Sequence, residues 1–104
     1  MLSLTGEIDV ATIPQLHDAL VRAINDAFAA TLIVDLDAVY SCDDTGLGVL
    51  LGAAGRARES GGDLTIVCSE GQLRGRLRRT GFDRAVTVVA SIAAALDEAA
   101  DRPD

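Results

Sequence analysis

Residues 31–50 read TLIVDLDAVYSCDDTGLGVL, and the parsing of this stretch decides the fold. From Thr31 to Val39 a β-branched run begins fully apolar and then alternates, which is a strand pattern. Two adjacent carboxylates, Asp43 and Asp44, then precede a glycine-flanked hydrophobic run. A helix N-terminus presents unpaired N–H groups and partial positive charge, so an acid in its first turn is favoured by roughly 0.3 to 1 kcal/mol. The stretch therefore reads as strand, loop and helix: Asp43 or Asp44 caps, Gly46 lets the chain turn, and Gly48 allows close packing.

The same alternation runs along the whole chain. Short apolar runs at DLTIVC (Asp63 to Cys68), AVTVVA (Ala85 to Ala90) and the opening LSLTGEI from Leu2 read as further strands. Helical segments lie between them. In TIPQLHDALVRAINDAF, Thr12 caps, Pro14 suits the first turn, and Leu16, Ala19, Leu20, Ala23, Ile24 and Ala27 form one apolar stripe. The run from Gly46 to Ser60 predicts a largely buried helix, Glu70 to Gly81 a thin cover helix broken by Gly75, and SIAAALDEAA a Ser91-capped helix running until Pro103. Strand and helix thus alternate four times, which predicts an α/β domain over residues 1–104 with a mostly parallel four-stranded sheet and about four helices, its strands covered on both faces. In such sheets functional groups gather where strand C-termini hand over to helix N-termini, and residues 40–50 lie at one of these points.

Composition narrows the function. The chain has 104 residues, a net charge of -7, and no lysine, so all its cations are arginines. A surface this acidic repels a phosphate backbone, and 3% aromatic residues leave few rings for base stacking, so protein partners are expected rather than nucleic acid. No apolar stretch is long enough to span a bilayer and the N-terminus lacks a signal-peptide pattern, which predicts a cytoplasmic protein without membrane association. Cys42 and Cys68 are too few and too separated for a disulfide framework or a zinc site, and no cofactor or metal is expected. Both fall at strand C-terminal ends, so they form a candidate redox pair if their Cα atoms approach within about 4.4 to 6.8 Å, although buried reduced thiols are the simpler reading.

TGEIDVATIPQL followed by VDLDAVYSCDDTGLGVLLGAAGRARESGGDLTIVC resembles the STAS-domain family of bacterial anti-sigma factor antagonists, over nearly the whole chain. The family shows a Gly-Glu-(Leu/Ile)-Asp stretch before its first helix and an Asp-Ser-(Ser/Thr)-Gly-Leu-Gly loop opening its second. The resemblance implies a non-enzymatic partner switch. The unphosphorylated protein binds an anti-sigma factor that is itself a serine kinase, freeing a sigma factor. Phosphorylation of the loop then adds roughly 1.5 to 2 negative charges to the contact surface and drives the complex apart. The implied partner-binding residues are Glu7, Ile8 and Asp9 with Ser41, Cys42, Asp43, Asp44, Thr45, Gly46, Leu47 and Gly48.

Two departures from the family pattern stand out. Asp44 falls where the family keeps its phosphorylated Ser, and a carboxylate cannot accept phosphate from a serine kinase. Either Asp44 mimics the phosphorylated state, or the protein binds constitutively with its surface adapted to the acid, or Thr45 is a substitute acceptor; the second is preferred. The first family strand is also apparently missing, which would leave a sheet edge open to homodimerisation or strand exchange.

Other readings compete from other classes. LIVDLDAV fits the opening of aspartate-nucleophile phosphatases, with Asp35 as nucleophile and Asp37 as general acid, but the lysine such a site needs is absent. A receiver domain with Asp43 and Asp44 as a metal pocket fails for the same reason. A STAS interaction module unconnected with sigma factors is the remaining alternative. His17 reads as a solvated helix residue, and Arg74, Arg76, Arg78 and Arg79 as a basic face able to meet an acidic partner or the protein's own acids.

Overall fold

The computed structural model describes residues 1–27 and 30–100. The chain runs β1 (Leu2–Ile8), α1 (Ile13–Asp26), β2 (Thr31–Cys42), α2 (Asp44–Glu59), β3 (Asp63–Val67), α3 (Gln72–Arg79), α4 (Phe82–Ala85), β4 (Thr87–Val89) and α5 (Ile92–Ala100). The strands form one sheet in the order β1-β2-β3-β4, and every pair is parallel. The expected ends of the first and last helical segments, Phe28 and Pro103, lie outside the described residues.

This strand order explains where the core sits. When each strand is laid beside its predecessor in one direction, right-handed crossovers put every connecting helix on the same face. Leu16, Leu20 and Ile24 of α1, Leu47, Leu50, Ala53, Ala54 and Ala57 of α2, Leu77 of α3 and Phe82 of α4 accordingly share one cluster with Leu32, Val34, Leu36, Leu64 and Ile66. Only α5 crosses to the other face, where Ala95 packs on Ile33 and Val67. The expected two-sided cover is therefore partial. On β1, Ser3, Thr5 and Glu7 are exposed while Leu2, Leu4 and Ile8 face the core, giving the alternation of a strand wetted on one side.

β2 is far longer than β3, and β1 follows it to the end. Twice on the way β2 contains a residue more than β1: Ser3 and Thr5 lie level with Asp35 and Ala38, and Gly6 and Glu7 with Val39 and Ser41. Tyr40 has no opposite number and is 72% exposed, as expected of a bulge that turns a side chain outward. Gly6, facing this bulge, has φ +83°, a left-handed value that glycine adopts without strain.

Local capping signals hold at one helix start and not at another. Ser91 accepts from the Ala94 N–H at 3.1 Å, as its capping position predicts. Thr12 occupies the N-cap of α1 without capping it: its hydroxyl accepts from the Asp9 N–H at 3.0 Å, while Asp9 Oδ1 accepts from Ala11 and Thr12 at 3.0 and 3.2 Å. The cover helix stops at Arg79, and left-handed Gly81 starts α4, a four-residue turn that buries Phe82 and shortens β4 to Thr87–Val89. So short a strand gains support from Arg74, whose guanidinium donates to Cys68 O at 2.7 Å and Val88 O at 3.3 Å, tying α3 to the ends of β3 and β4. Arg74 Nε is buried without a hydrogen-bond partner. Among the described residues no helix is long and apolar enough to cross a membrane.

Leu50 is fully buried beneath the sheet and Leu96 of α5 is 56% exposed. Leu50→Ala is expected to lower the unfolding free energy by about 2 to 5 kcal/mol and Leu96→Ala by less than about 0.5 kcal/mol, read by urea titration.

Candidate functional site

β1 and β2 end side by side, with Glu7 level with Ser41 and Ile8 with Cys42. Three hydrogen bonds join this end to α2. The Asp43 N–H donates to Ile8 O at 3.1 Å, the Leu47 N–H donates to Asp43 O at 3.0 Å, and the Gly46 N–H donates to Asp43 Oδ1 at 2.9 Å. Asp43, with extended backbone, is thus the N-cap, which settles which of the two acids caps. Asp44 is left as the first residue of α2, with its side chain 88% exposed.

The close packing expected of Gly48 falls to Gly46 instead. Gly46 is buried within the first turn, and a Cβ there would collide with Ile8 Cγ2 and lie 2.8 Å from Cys42 Sγ. Its lack of a side chain is what lets α2 seat on the strand ends. A Cβ on Gly48 would meet nothing within 4 Å. Gly48 is exposed and allows no packing that another residue would prevent.

Of the residues implied as partner-binding, Glu7, Ser41, Asp44, Thr45 and Gly48 are exposed. Asp9 and Asp43 are half-buried, and their carboxylates hold the two loops. Ile8, Cys42, Gly46 and Leu47 are buried and can only position the others. Sequence reasoning passed over Val10 and Tyr40, each 72% exposed beside the loops. Isolated apolar residues at strand ends were the available signal.

Arg76 of α3 completes the corner. Its Nε donates to Cys42 O at 2.8 Å and its Nη2 to Asp44 Oδ1 at 2.5 Å. The basic run of α3 is thus largely turned onto the protein's own groups: Arg74 holds strand carbonyls, Arg76 holds Asp44, and Arg78 pairs with Glu70. Arg79 has no ion pair or hydrogen bond among the described residues. A groove of about 640 Å³ opens here, lined by Tyr40, Asp43, Leu73, Gly75, Arg76 and Arg79 among others.

The redox pairing does not fit the sheet. Val67 is level with Asp35, so Cys68 lies level with Leu36, and Cys42 sits further along β2 by about four strand steps once its two extra residues are discounted, roughly 13 Å. Both thiols are free and buried. Burial, helped by the Asp43 carboxylate and opposed by Arg76, pushes Cys42 up to about 11, and burial also raises Cys68.

The phosphatase reading meets a structural obstacle too. Asp35 Oδ1 accepts from the Asp37 N–H at 2.9 Å inside the β2 bulge, while Asp37 accepts from Ser69 N at 2.8 Å and Ser69 Oγ at 3.1 Å. Both carboxylates hold backbone. Among the described residues no three His, Cys, Asp or Glu side chains gather as a metal site, and His17 lies exposed, 3.9 Å from Asp18.

The family model described as STAS domain matches residues 1–99. Among solved structures, an anti-sigma factor antagonist from Mycobacterium paratuberculosis is 28% identical, with a TM-score of 0.84 over 95% of this chain and 83% of that one. The anti-sigma factor antagonist SpoIIAA in its unphosphorylated form is 20% identical, with a TM-score of 0.70 over 96% of this chain and 87% of that one. SpoIIAA of Bacillus in the phosphorylated form is 19% identical, with a TM-score of 0.60 over 92% and 86%. At those lower identities the likeness is one of fold.

Two outcomes follow from this corner. Gly46→Ala is expected to cost about 1 to 3 kcal/mol by overpacking against Ile8 and Cys42, whereas Gly48→Ala in the open is expected to stabilise by about 0.5 to 1 kcal/mol, both read by urea titration. The Cys42 thiol stays protonated in the folded chain while the unfolded chain ionises near its ordinary 9.0, so stability should be unaffected below about pH 9 and fall as pH rises toward about 11. Replacing Cys42 by Ala should remove that part of the alkaline loss.

Proposed function

Because the chain belongs to the STAS domain family, we propose that it is an anti-sigma factor antagonist that docks in the cytoplasm onto an anti-sigma factor of the serine-kinase type through the exposed surface of the β1–α1 loop and the start of α2. One observation carries this reading. Asp44, which the resemblance sets at the family's modifiable hydroxyl, stands exposed at the N-terminus of α2, and the bond from the Asp43 N–H to Ile8 O ties that helix start to the end of β1.

The same geometry favours constitutive docking over mimicry of a phosphorylated loop. A phosphate would bring roughly 1.5 to 2 charges and three acceptor oxygens, where Asp44 brings one charge that the chain's own Arg76 already meets. An exposed pair of this kind contributes about 0 to 1 kcal/mol to stability. Its effect lies in presenting a neutralised acid to the partner. A serine at this position would be switched off by phosphorylation; the aspartate removes that control and leaves regulation to the partner or to protein levels.

The test uses anti-sigma factor kinases of the source organism, purified and titrated calorimetrically with wild type, Asp44→Ser and Asp44→Arg. Wild type and Asp44→Ser should both bind one such kinase, and Asp44→Arg should bind it about tenfold or more weakly. With ATP, Asp44→Ser should be phosphorylated and released while wild type stays unmodified and bound. Binding by Asp44→Ser alone would overturn constitutive docking in favour of phosphate mimicry, and phosphate on Thr45 would overturn it in favour of a displaced acceptor. Failure of both wild type and Asp44→Ser to bind any such kinase would refute the docking function and favour a STAS module without a sigma-factor link.

A further inference from the structure

Beside Asp43 and Asp44 the surface changes sign. The groove between the end of β2 and α3 has Tyr40 and Asp43 on one side and Leu73, Arg76 and Arg79 on the other. Three features define its chemistry. Arg79 is exposed with no hydrogen bond or ion pair among the described residues, on a protein whose net charge is -7. A Cβ on Gly75 would lie 3.1 Å from Arg79 Nη1, so the guanidinium lies across a bare stretch of helix backbone that an alanine would crowd. Tyr40, the unmatched residue of the β2 bulge, offers a 72% exposed side chain at the same groove.

We propose that this groove receives an acidic segment of the partner protein, with one carboxylate paired to Arg79 and the segment's apolar atoms packed on Tyr40 and Leu73. The inference rests on the docking function above for the identity of the partner. Charge complementarity carries it. Arg76 is already engaged by Asp44, so among the described residues Arg79 is the cation at the groove without an acid, and its planar fork suits bidentate pairing with a carboxylate. Tyr and Arg, which face each other across this groove, are residue types enriched at the energetic centres of interfaces. With Asp43 lining the groove and exposed Glu7 level with Ser41 beside it, the site is dipolar, and a partner must present an acidic segment and a basic surface in the matching order.

The experiment has two arms. In the first, the full chain is titrated with an oligo-aspartate peptide while the arginine Nε–Hε and tyrosine ring resonances are followed by NMR. Saturable shifts should appear at Arg79, Arg76 and Tyr40, leave Arg22 unmoved, and vanish in Arg79→Gln. A uniform drift of all arginines, an absence of shifts, or a titration unchanged in Arg79→Gln overturns the proposal. The second arm measures affinity for the kinase that binds wild type: Arg79→Glu should weaken it about tenfold or more and Arg22→Glu should leave it unchanged. Arg79→Glu binding as tightly as wild type would overturn the assigned occupant. If no kinase binds wild type, the docking function has failed, and the peptide titration alone still decides whether the groove takes an acidic chain. As Arg79 supports no other group by hydrogen bond among the described residues, its variants are expected to retain the wild-type melting temperature, which is measured alongside.

Discussion

The corner where β1, β2 and α2 meet depends on the absence of one side chain. Ile8 and Cys42 close over Gly46 with no room for a Cβ, which brings Asp43 near enough for its N–H to reach Ile8 O and its carboxylate to cap the Gly46 N–H. Once Asp43 is turned inward to cap, the next residue leaves the helix axis on the outer side. The exposure of Asp44 is thus a geometric result of its neighbour's burial.

Arg76 adds a second layer to that corner. It reaches from α3 to the last carbonyl of β2 and to Asp44, so one guanidinium joins elements 32 residues apart in sequence. Exposed pairs contribute little to folding free energy, and the core beneath the sheet, aliphatic but for Phe82 and the thiols, packs without it. The residue matters for where charge is placed. It offsets the acid at the helix start while Arg79, three residues on, stays unpaired among the described residues.

Much of this architecture was legible in the residues. The β-branched runs, the 3.6-residue stripe of α1 and the acid–glycine junction before α2 each encode structure locally, so the order of elements and the place of the loop could be read from pattern alone. What could not be read depended on distant neighbours. Either Asp43 or Asp44 could cap until the backbone direction chose Asp43. Gly46 and Gly48 are told apart by Cys42 and by Ile8, which arrives from another strand. The four residues of α4 are too few to show a period, and the extra residues of β2 appear only when its register against β1 is known. The reach of Arg76 and the vacancy of Arg79 are likewise properties of the folded chain.

The staple formed by Arg74 has a consequence for how quickly a partner is captured and released. By gripping Cys68 O and Val88 O it fixes the start of α3 to the sheet, so one side of the groove is anchored to the hydrogen-bonded strands. A surface shaped in advance loses little conformational freedom on contact. Encounter then approaches rigid-body collision, and changes in contact chemistry are felt mainly in residence time.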